Sequence, residues 1–259
     1  MAEPVTGLEE RLLNQAHALG ATLAGIARTE AVTGSPSHQG RIARFAGVGS
    51  APDADDTAGG RSDRPGGLLF AGGAVVVVAL AHSPEEPALD WWGVPGGTRG
   101  NGLLMEITQG LSSWLTAELR TEAHDLPYYP DKGGAFLKDA AVSAGLGCIG
   151  KNNLLVTPEH GPRVRLRGVA VDAPLAPSGP LWPDPCDGCS EPCRRACPQD
   201  AFARVVHSSI ALETLTLPGR TGCFDRETCN VQMLADEASA TDGLVRYCRR
   251  CELSCIAGL

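Results

Sequence analysis

The distribution of cysteine constrains this chain more than any other feature. Nine of its ten cysteines lie between Cys186 and Cys255, and the 185 residues before them hold only Cys148. The opening Met-Ala-Glu-Pro-Val-Thr-Gly-Leu-Glu-Glu is acidic, without the apolar core of a secretory signal or a twin-arginine pair. The longest charge-free stretch, residues 66–84, is interrupted by glycines and His82, and its apolar heart AVVVVAL (74–80) is too short to span a bilayer. A cytoplasmic protein with no membrane association is therefore expected, where thiols stay reduced and clustered cysteines hold metal rather than disulfides. The formal net charge of −8 argues against sequence-independent nucleic-acid binding, which needs an excess of cations to displace counterions from phosphates.

The first cysteine group is Cys186-Asp-Gly-Cys189-Ser-Glu-Pro-Cys193-Arg-Arg-Ala-Cys197-Pro198. The second is Cys223, Cys229 and Cys248-Arg-Arg-Cys251-Glu-Leu-Ser-Cys255. A 4Fe–4S cube needs four thiolates; a tight run supplies three and a distant cysteine the fourth. In two-cluster ferredoxins the last cysteine of each run ligates the other cluster. That logic gives one cluster to Cys186, Cys189, Cys193 and Cys255. The second takes Cys197, Cys248, Cys251 and either Cys229 or Cys223. Cys229 is preferred, because Phe-Asp-Arg-Glu-Thr-Cys sets it at a helical start. The runs depart from the common form: the first has three residues between Cys189 and Cys193, and the second ends Cys255-Ile256 without proline. Structural zinc on the two C-x2-C pairs is the alternative, and it leaves the remaining cysteines unexplained.

Ahead of the cysteines, apolar spacing predicts helices over residues 8–19, 103–119 and 135–145, the first and last closed by Gly20 and Gly145. Strands are expected at 21–27, 74–80, 154–157 and 163–172, the last two joined by the turn Pro-Glu-His-Gly-Pro. Residues 31–67, rich in Gly, Ser, Pro and Asp, read as a long mobile loop. The proline-rich stretch 173–185 marks a boundary between an α/β-type domain (1–175) and a cysteine domain (176–259).

Lys138-Asp-Ala-Ala-Val-Ser-Ala-Gly-Leu-Gly-Cys148-Ile-Gly-Lys-Asn-Asn-Leu-Leu-Val-Thr-Pro, with Val171-Asp-Ala-Pro-Leu175 further on, resembles the core of the epoxyqueuosine reductase and reductive dehalogenase families. The resemblance is loose over residues 1–130 and close over 131–259. It implies an α+β protein with a nitroreductase-like sheet that binds cobalamin base-off, followed by a bacterial-ferredoxin-like double-cluster domain. The implied function is an oxidoreductase that passes electrons through two 4Fe–4S clusters to cobalamin and reduces its substrate there. A protein without its own substrate that only transfers electrons or reduces a corrinoid, and a cobalamin-free iron–sulfur reductase, are the alternatives.

By the same resemblance Asp131, thirteen residues before the Ala-Gly of Ala-Gly-Leu-Gly, is the proton donor, with Tyr128 and Tyr129 in reserve because dehalogenases use a tyrosine. Gly145, Gly147, Cys148, Gly150, Lys151, Asn152 and Asn153 would lie at the cofactor, the glycines permitting close approach. Cys148 stands where the family has tryptophan and reads as a small buried hydrophobe ahead of a spare thiol near the cofactor. The family's R-G-x-D-Y-H segment is replaced by Thr98-Arg-Gly-Asn-Gly-Leu103, and helical repeats that help grip tRNA are not found after Leu259. With the net charge, this makes a small-molecule substrate the expectation, tRNA unlikely, and reduced ferredoxin or flavodoxin the electron donor.

Overall fold

The computed structural model describes residues 7–39, 66–93, 97–180, 184–203 and 223–259. Helix α1 (Gly7–Ala18) leads into strand β1 (Leu23–Arg28) and the short helices α2 (Thr29–Thr33) and α3 (Pro36–Gln39). Strand β2 (Ala74–Ala81), a 3-10 turn at Pro87–Asp90 and the two-residue strands β3 (Trp92–Gly93) and β4 (Gly97–Thr98) precede helix α4 (Arg99–Leu119). Then come β5 (Ala123–Asp125), a 3-10 turn at Pro130–Lys132, α5 (Leu137–Ser143), β6 (Cys148–Ile149), β7 (Leu155–Val156) and β8 (Val164–Val171). The cysteine-rich part holds α6 (Pro192–Arg195), α7 (Arg226–Ala238) and α8 (Arg250–Leu253).

The valine run is the spine. β2 sits second in a four-stranded sheet ordered β1-β2-β8-β5 and pairs antiparallel with β1 and β8. β5 also joins β8 antiparallel, so the sheet contains no parallel pair and the architecture is α+β rather than α/β. Side chains alternate across a strand, and β2 is apolar on both faces. Val76 and Val78 pack with Leu12 of α1 and with Leu104, Leu111 and Leu115 of α4. Val75, Val77 and Ala79 pack with Val32 of α2 and with Ala140 and Val142 of α5. Covering both faces explains why this strand is a continuous apolar run rather than an alternating one.

Three expectations change in detail. α4 begins at Arg99, four residues before the predicted start at 103, because Thr98 Oγ1 accepts the Asn101 N–H at 3.0 Å and caps the helix. A Cβ at Gly100 would collide with the buried His82 ring, so glycine in that first turn is a packing requirement. The strand at 154–157 pairs with β6 instead of β8; Thr157 and Gly161 exchange backbone hydrogen bonds of 2.9 Å and turn the chain before β8 begins. The predicted loop at 31–67 starts with α2 and α3, where Asp139 accepts the Ser37 N–H at 2.9 Å, and its remainder, 40–65, lies outside the described residues.

Beyond residue 183 the interior changes character. Its buried apolar residues among those described are Cys186, Cys193, Ala201, Phe202 and Cys255, and α7 buries none of its thirteen residues. This part leans on the sheet domain instead, through paired hydrogen bonds of 2.9 Å between Trp92 and Val245. Among the described residues no helix is long and apolar enough to cross a membrane.

The contrast between the two parts is testable by denaturation. Leu111→Ala removes a fully buried side chain from the α4 face and is expected to cost about 2–5 kcal/mol. Leu234→Ala, on the exposed flank of α7, is expected to stay within about 0.5 kcal/mol of the unmodified protein.

Candidate functional site

The first cysteine run is shaped by tight backbone turns. Asp184 Oδ1 accepts the Cys186 N–H at 2.7 Å, and the Cys189 N–H returns to the Cys186 carbonyl at 3.3 Å. Glu191, at φ 59°, turns the chain into α6 with Pro192 at its first position, and Cys193 follows, buried. Two amides point at sulfur: Glu191 N–H donates to Cys189 Sγ at 3.4 Å, and Ala201 N–H to Cys197 Sγ at 3.3 Å. In the second group Asp225 caps α7 by accepting the Thr228 N–H at 3.2 Å, which sets Cys229 one residue further into the first turn. Asp236 of the same helix accepts the Cys248 N–H at 2.7 Å.

The thiols fall into two groups of four. Cys186, Cys189, Cys193 and Cys255 line one cleft of about 360 Å³, part of it open to solvent. Burial, then the charges of Cys255, Cys186 and Cys189, push the Cys193 thiol up to about 11. Burial, then Cys229, Cys248 and Cys197, push Cys251 up to about 12. Burial likewise raises Cys229, which feels Cys197 and Cys248. Each quartet therefore resists carrying four negative charges unless a cation neutralises them. No arrangement of three or more His, Cys, Asp or Glu among the described residues is ready to hold a single metal ion. Cys223 is partly buried ahead of α7.

The segment from Gly145 to Asn153 runs beside the first quartet. A Cβ at Gly145 would stand 2.8 Å from the Gly179 Cα, one at Gly147 would strike the Val156 carbonyl, and one at Gly150 would come within 3.3 Å of Cys186 Sγ. The close approach that these glycines permit is to the chain itself. Cys148 is buried; its S–H donates to Asp184 Oδ1 at 3.2 Å, and the neighbouring Cys186 thiol is drawn down, chiefly by Cys148. Lys151 pairs with Glu191 at 3.0 Å across the mouth of the cleft; Glu191 first, then Cys186 and Cys189, push its pKa up. Asn152 is buried and donates to the Cys251 carbonyl at 3.4 Å, so this segment touches both quartets. Asn153, at φ 60°, offers its carbonyl to Lys138 at 2.5 Å.

Tyr128 and Tyr129 stand edge to face, ring centroids 5.4 Å apart, immediately before the Pro130–Lys132 turn. The Arg167 guanidinium lies 5.6 Å from the Tyr128 ring and Lys132 Nζ 5.4 Å from that of Tyr129. Tyr128 is half exposed. Asp131 belongs to the turn by its backbone, and its side chain lies outside the described residues.

Spacing of the cysteines says nothing about what joins the two parts, and this the structure supplies. Arg163, immediately before β8, and Arg165 and Arg167 on it alternate with Val164 and Leu166. Arg163 donates to the carbonyls of Cys255, Ala257 and Gly258 at 3.2, 2.7 and 2.8 Å. Arg167 holds Asn101 Oδ1 through Nε and Nη2 at 3.2 and 2.9 Å. Arg165 Nη2 lies 2.7 Å from Asp90 Oδ1 and 3.0 Å from Glu252 Oε2. Arg249 then closes a ring, with Nη1 at 2.5 Å from Asp90 Oδ2 and Nη2 on Glu252 Oε1. His82 Nδ1 is 2.8 Å from Asp90 Oδ1. Arginines at alternate positions of a strand were the available signal; their partners, far away in sequence, were not readable.

Burial alone would raise Asp90, but the hydrogen bond with His82 and the charges of Arg165 and Arg249 hold its carboxyl below the usual range. A carboxylate depressed by folding stabilises above its unfolded pKa, and that contribution disappears as pH falls through the folded value. Stability is accordingly expected to drop below about pH 4. Asp90→Asn should remove that part of the acid sensitivity and cost roughly 3 kcal/mol at neutral pH, read from urea midpoints across a pH series.

No family model matches the chain. An epoxyqueuosine reductase of Listeria monocytogenes is 44% identical over 64 residues, which is 24% of this chain and 16% of that protein. A tetrachloroethene reductive dehalogenase of Sulfurospirillum multivorans is 41% identical over 65 residues, 24% of this chain and 13% of that one. Aligned segments thus span less than a fifth of either relative. Among solved structures, an epoxyqueuosine reductase with an epoxyqueuosine-modified tRNA-Tyr stem loop superposes with a TM-score of 0.64 at 20% identity, over 97% of this chain and 65% of that one. Another, from Bacillus subtilis, has its catalytic aspartate loop swung out of the active site (TM-score 0.59, 20% identity, 97% and 65% coverage). A reductive dehalogenase described in terms of B12-dependent dehalogenation matches at 0.60 and 17% identity, over 98% and 32%. The tRNA complex overturns the expectation that tRNA is an unlikely partner, since a protein of this fold takes a tRNA stem loop. Net charge is a whole-surface average and does not exclude a local basic groove. By fold over nearly its whole length, and by sequence over about a quarter of it, the chain resembles the epoxyqueuosine reductases and reductive dehalogenases.

Proposed function

We propose that this chain is an iron–sulfur reductase that uses two 4Fe–4S clusters and a cobalamin to break an epoxide carbon–oxygen bond or a carbon–halogen bond, a protein acid supplying the proton. The observation that carries the reading is the interleaving of the thiols. Cys197, from the first run, stands with Cys229, Cys248 and Cys251, while Cys255, from the second, stands with Cys186, Cys189 and Cys193. Two adjacent clusters that share their runs need that exchange, whereas zinc held by local C-x2-C pairs does not. Residues 176–259 would then be a ferredoxin-like unit whose interior is the clusters, in keeping with the few apolar side chains that its described residues bury.

When bound, the clusters would accept and pass single electrons and the cobalamin would supply the reducing centre for bond cleavage. Support for cobalamin comes from the dehalogenase neighbour. Gly145, Gly147 and Gly150 are not assigned to it, because their close contacts are internal. Lys151, at the mouth of the first quartet, would instead offset thiolate charge there.

Removing an epoxide oxygen as water takes up two electrons and two protons; replacing a halogen by hydrogen takes up two electrons and one proton and releases halide. Asp131 is the proposed donor, supported by the relative with a catalytic aspartate loop. Arg167, beside Tyr128, lends positive charge to the turn that carries Asp131, which suits negative charge developing on a leaving oxygen or halide. The substrates to present are an epoxyqueuosine-bearing tRNA stem loop and a brominated phenol.

With anaerobic protein, hydroxocobalamin and a low-potential chemical reductant, one of the two should be turned over. Asp131→Asn should lower the rate by about 10²–10⁴-fold with iron content unchanged. Turnover surviving in Asp131→Asn but lost in Tyr128→Phe would move the donor to Tyr128. Turnover of neither, with both clusters intact, would leave an electron-transfer protein.

A further inference from the structure

The sequence Cys248-Arg249-Arg250-Cys251 places two arginines between two proposed ligands, and the structure gives them opposite surroundings. Arg250 is exposed. Arg249 is turned inward, its side chain 12% exposed, and its guanidinium is fully engaged. Nη1 meets Asp90 Oδ2 at 2.5 Å, Nη2 donates to the His82 carbonyl at 2.9 Å, and Nε donates to Glu252 Oε1 at 3.1 Å. Arg165 Nη2 takes the other oxygen of each carboxylate. The result is a closed, nearly buried ring of two arginines and two carboxylates, joining the 3-10 turn before β3, strand β8 and the start of α8. Its formal charges cancel, so its effect on the thiols is geometric before it is electrostatic. Asp236 restrains the same turn from the other side through the Cys248 N–H.

We propose that Arg249 is the positioning residue of the second thiol quartet. The ring pins the Cys248–Cys251 turn to the sheet domain, and this pinning sets the place of those two sulfurs relative to Cys197 and Cys229. The inference rests on the cluster reading above. Outer partners that orient ligands typically change metal affinity by about 10–100-fold when removed. The loss should fall on one cluster, because the first quartet is anchored separately, by Asp184 on Cys186 and by Arg163 on the Cys255 carbonyl.

The test compares unmodified protein, Arg249→Met, Arg249→Lys and Arg250→Met after anaerobic reconstitution with iron and sulfide. Iron per chain and the EPR spectrum of the dithionite-reduced protein are read. Unmodified protein and Arg250→Met should hold about eight irons and show the broadened spectrum of two interacting clusters. Arg249→Met should hold about half the iron and show one isolated cluster signal, with unchanged far-ultraviolet circular dichroism. Arg249→Lys should recover part of the second cluster. Should Arg249→Met fail to fold, Glu252→Gln keeps the shape of the ring, removes one charge and should show the same selective loss. Full iron in Arg249→Met or Glu252→Gln, or equal loss from both clusters, overturns the proposal. Absence of iron from the unmodified protein overturns the cluster reading itself.

Discussion

Among the described residues, the part of this protein that carries nine cysteines buries few apolar side chains, which puts weight on how it is tied to the sheet. The tie is polar. Two arginines leave β8 and a third, Arg163, stands immediately before it, while Val169 and Val171 further along the strand pack with α1 and α4. Arg163 collects the carbonyls of the last residues, and Arg165 enters the ring with Asp90, Arg249 and Glu252. Burying four charges is costly, and such a ring offers less net stability than hydrophobic packing of equal volume. What it offers instead is directional geometry: each guanidinium fixes two carboxylates at once. That geometry is suited to holding a ligand loop in place.

A hydrophobic core would serve the second part poorly for a related reason. Eight thiols in two groups cannot be packed as neutral residues and also be available to iron. Cys193 and Cys251 already show the strain, their ionisation pushed up by burial and by neighbouring sulfur. Cations resolve both problems, neutralising the thiolates and filling the interior, so that metal binding and folding of this part would be one process. The segment Gly145–Asn153 lies against both quartets and connects them to α5 and the central sheet. It uses glycine to bring its backbone against Gly179, Val156 and Cys186.

Much of the fold was legible because its determinants are local. The valine run, the amphipathic helices and the capped turns each follow from neighbouring residues. The proposed division of the cysteines into two interleaved quartets rests on their spacing in the sequence. The short strand β5 carries only Ala-His-Asp and gave no periodic signal; β8 creates it by offering an edge. Asp90, Arg249 and Glu252 were illegible because their meaning lies in partners 75 to 159 positions away, Arg165 for both carboxylates and Asp90 for Arg249. For the glycines of Ala-Gly-Leu-Gly-Cys-Ile-Gly, the sequence says that something comes close to the backbone and not whether it is the chain itself or a ligand. Net charge misled about tRNA for a comparable reason: it sums over the whole chain and says nothing of where individual cations stand.

The central claim is that the eight thiols hold two interleaved iron–sulfur clusters. Iron, acid-labile sulfide and zinc, determined on protein purified without exposure to air, test it most directly. The account predicts about eight irons and eight sulfides per chain, falling together when either Cys197 or Cys255 is replaced by serine. Zinc without sulfide, unaffected by replacing Cys197 or Cys255, would contradict it.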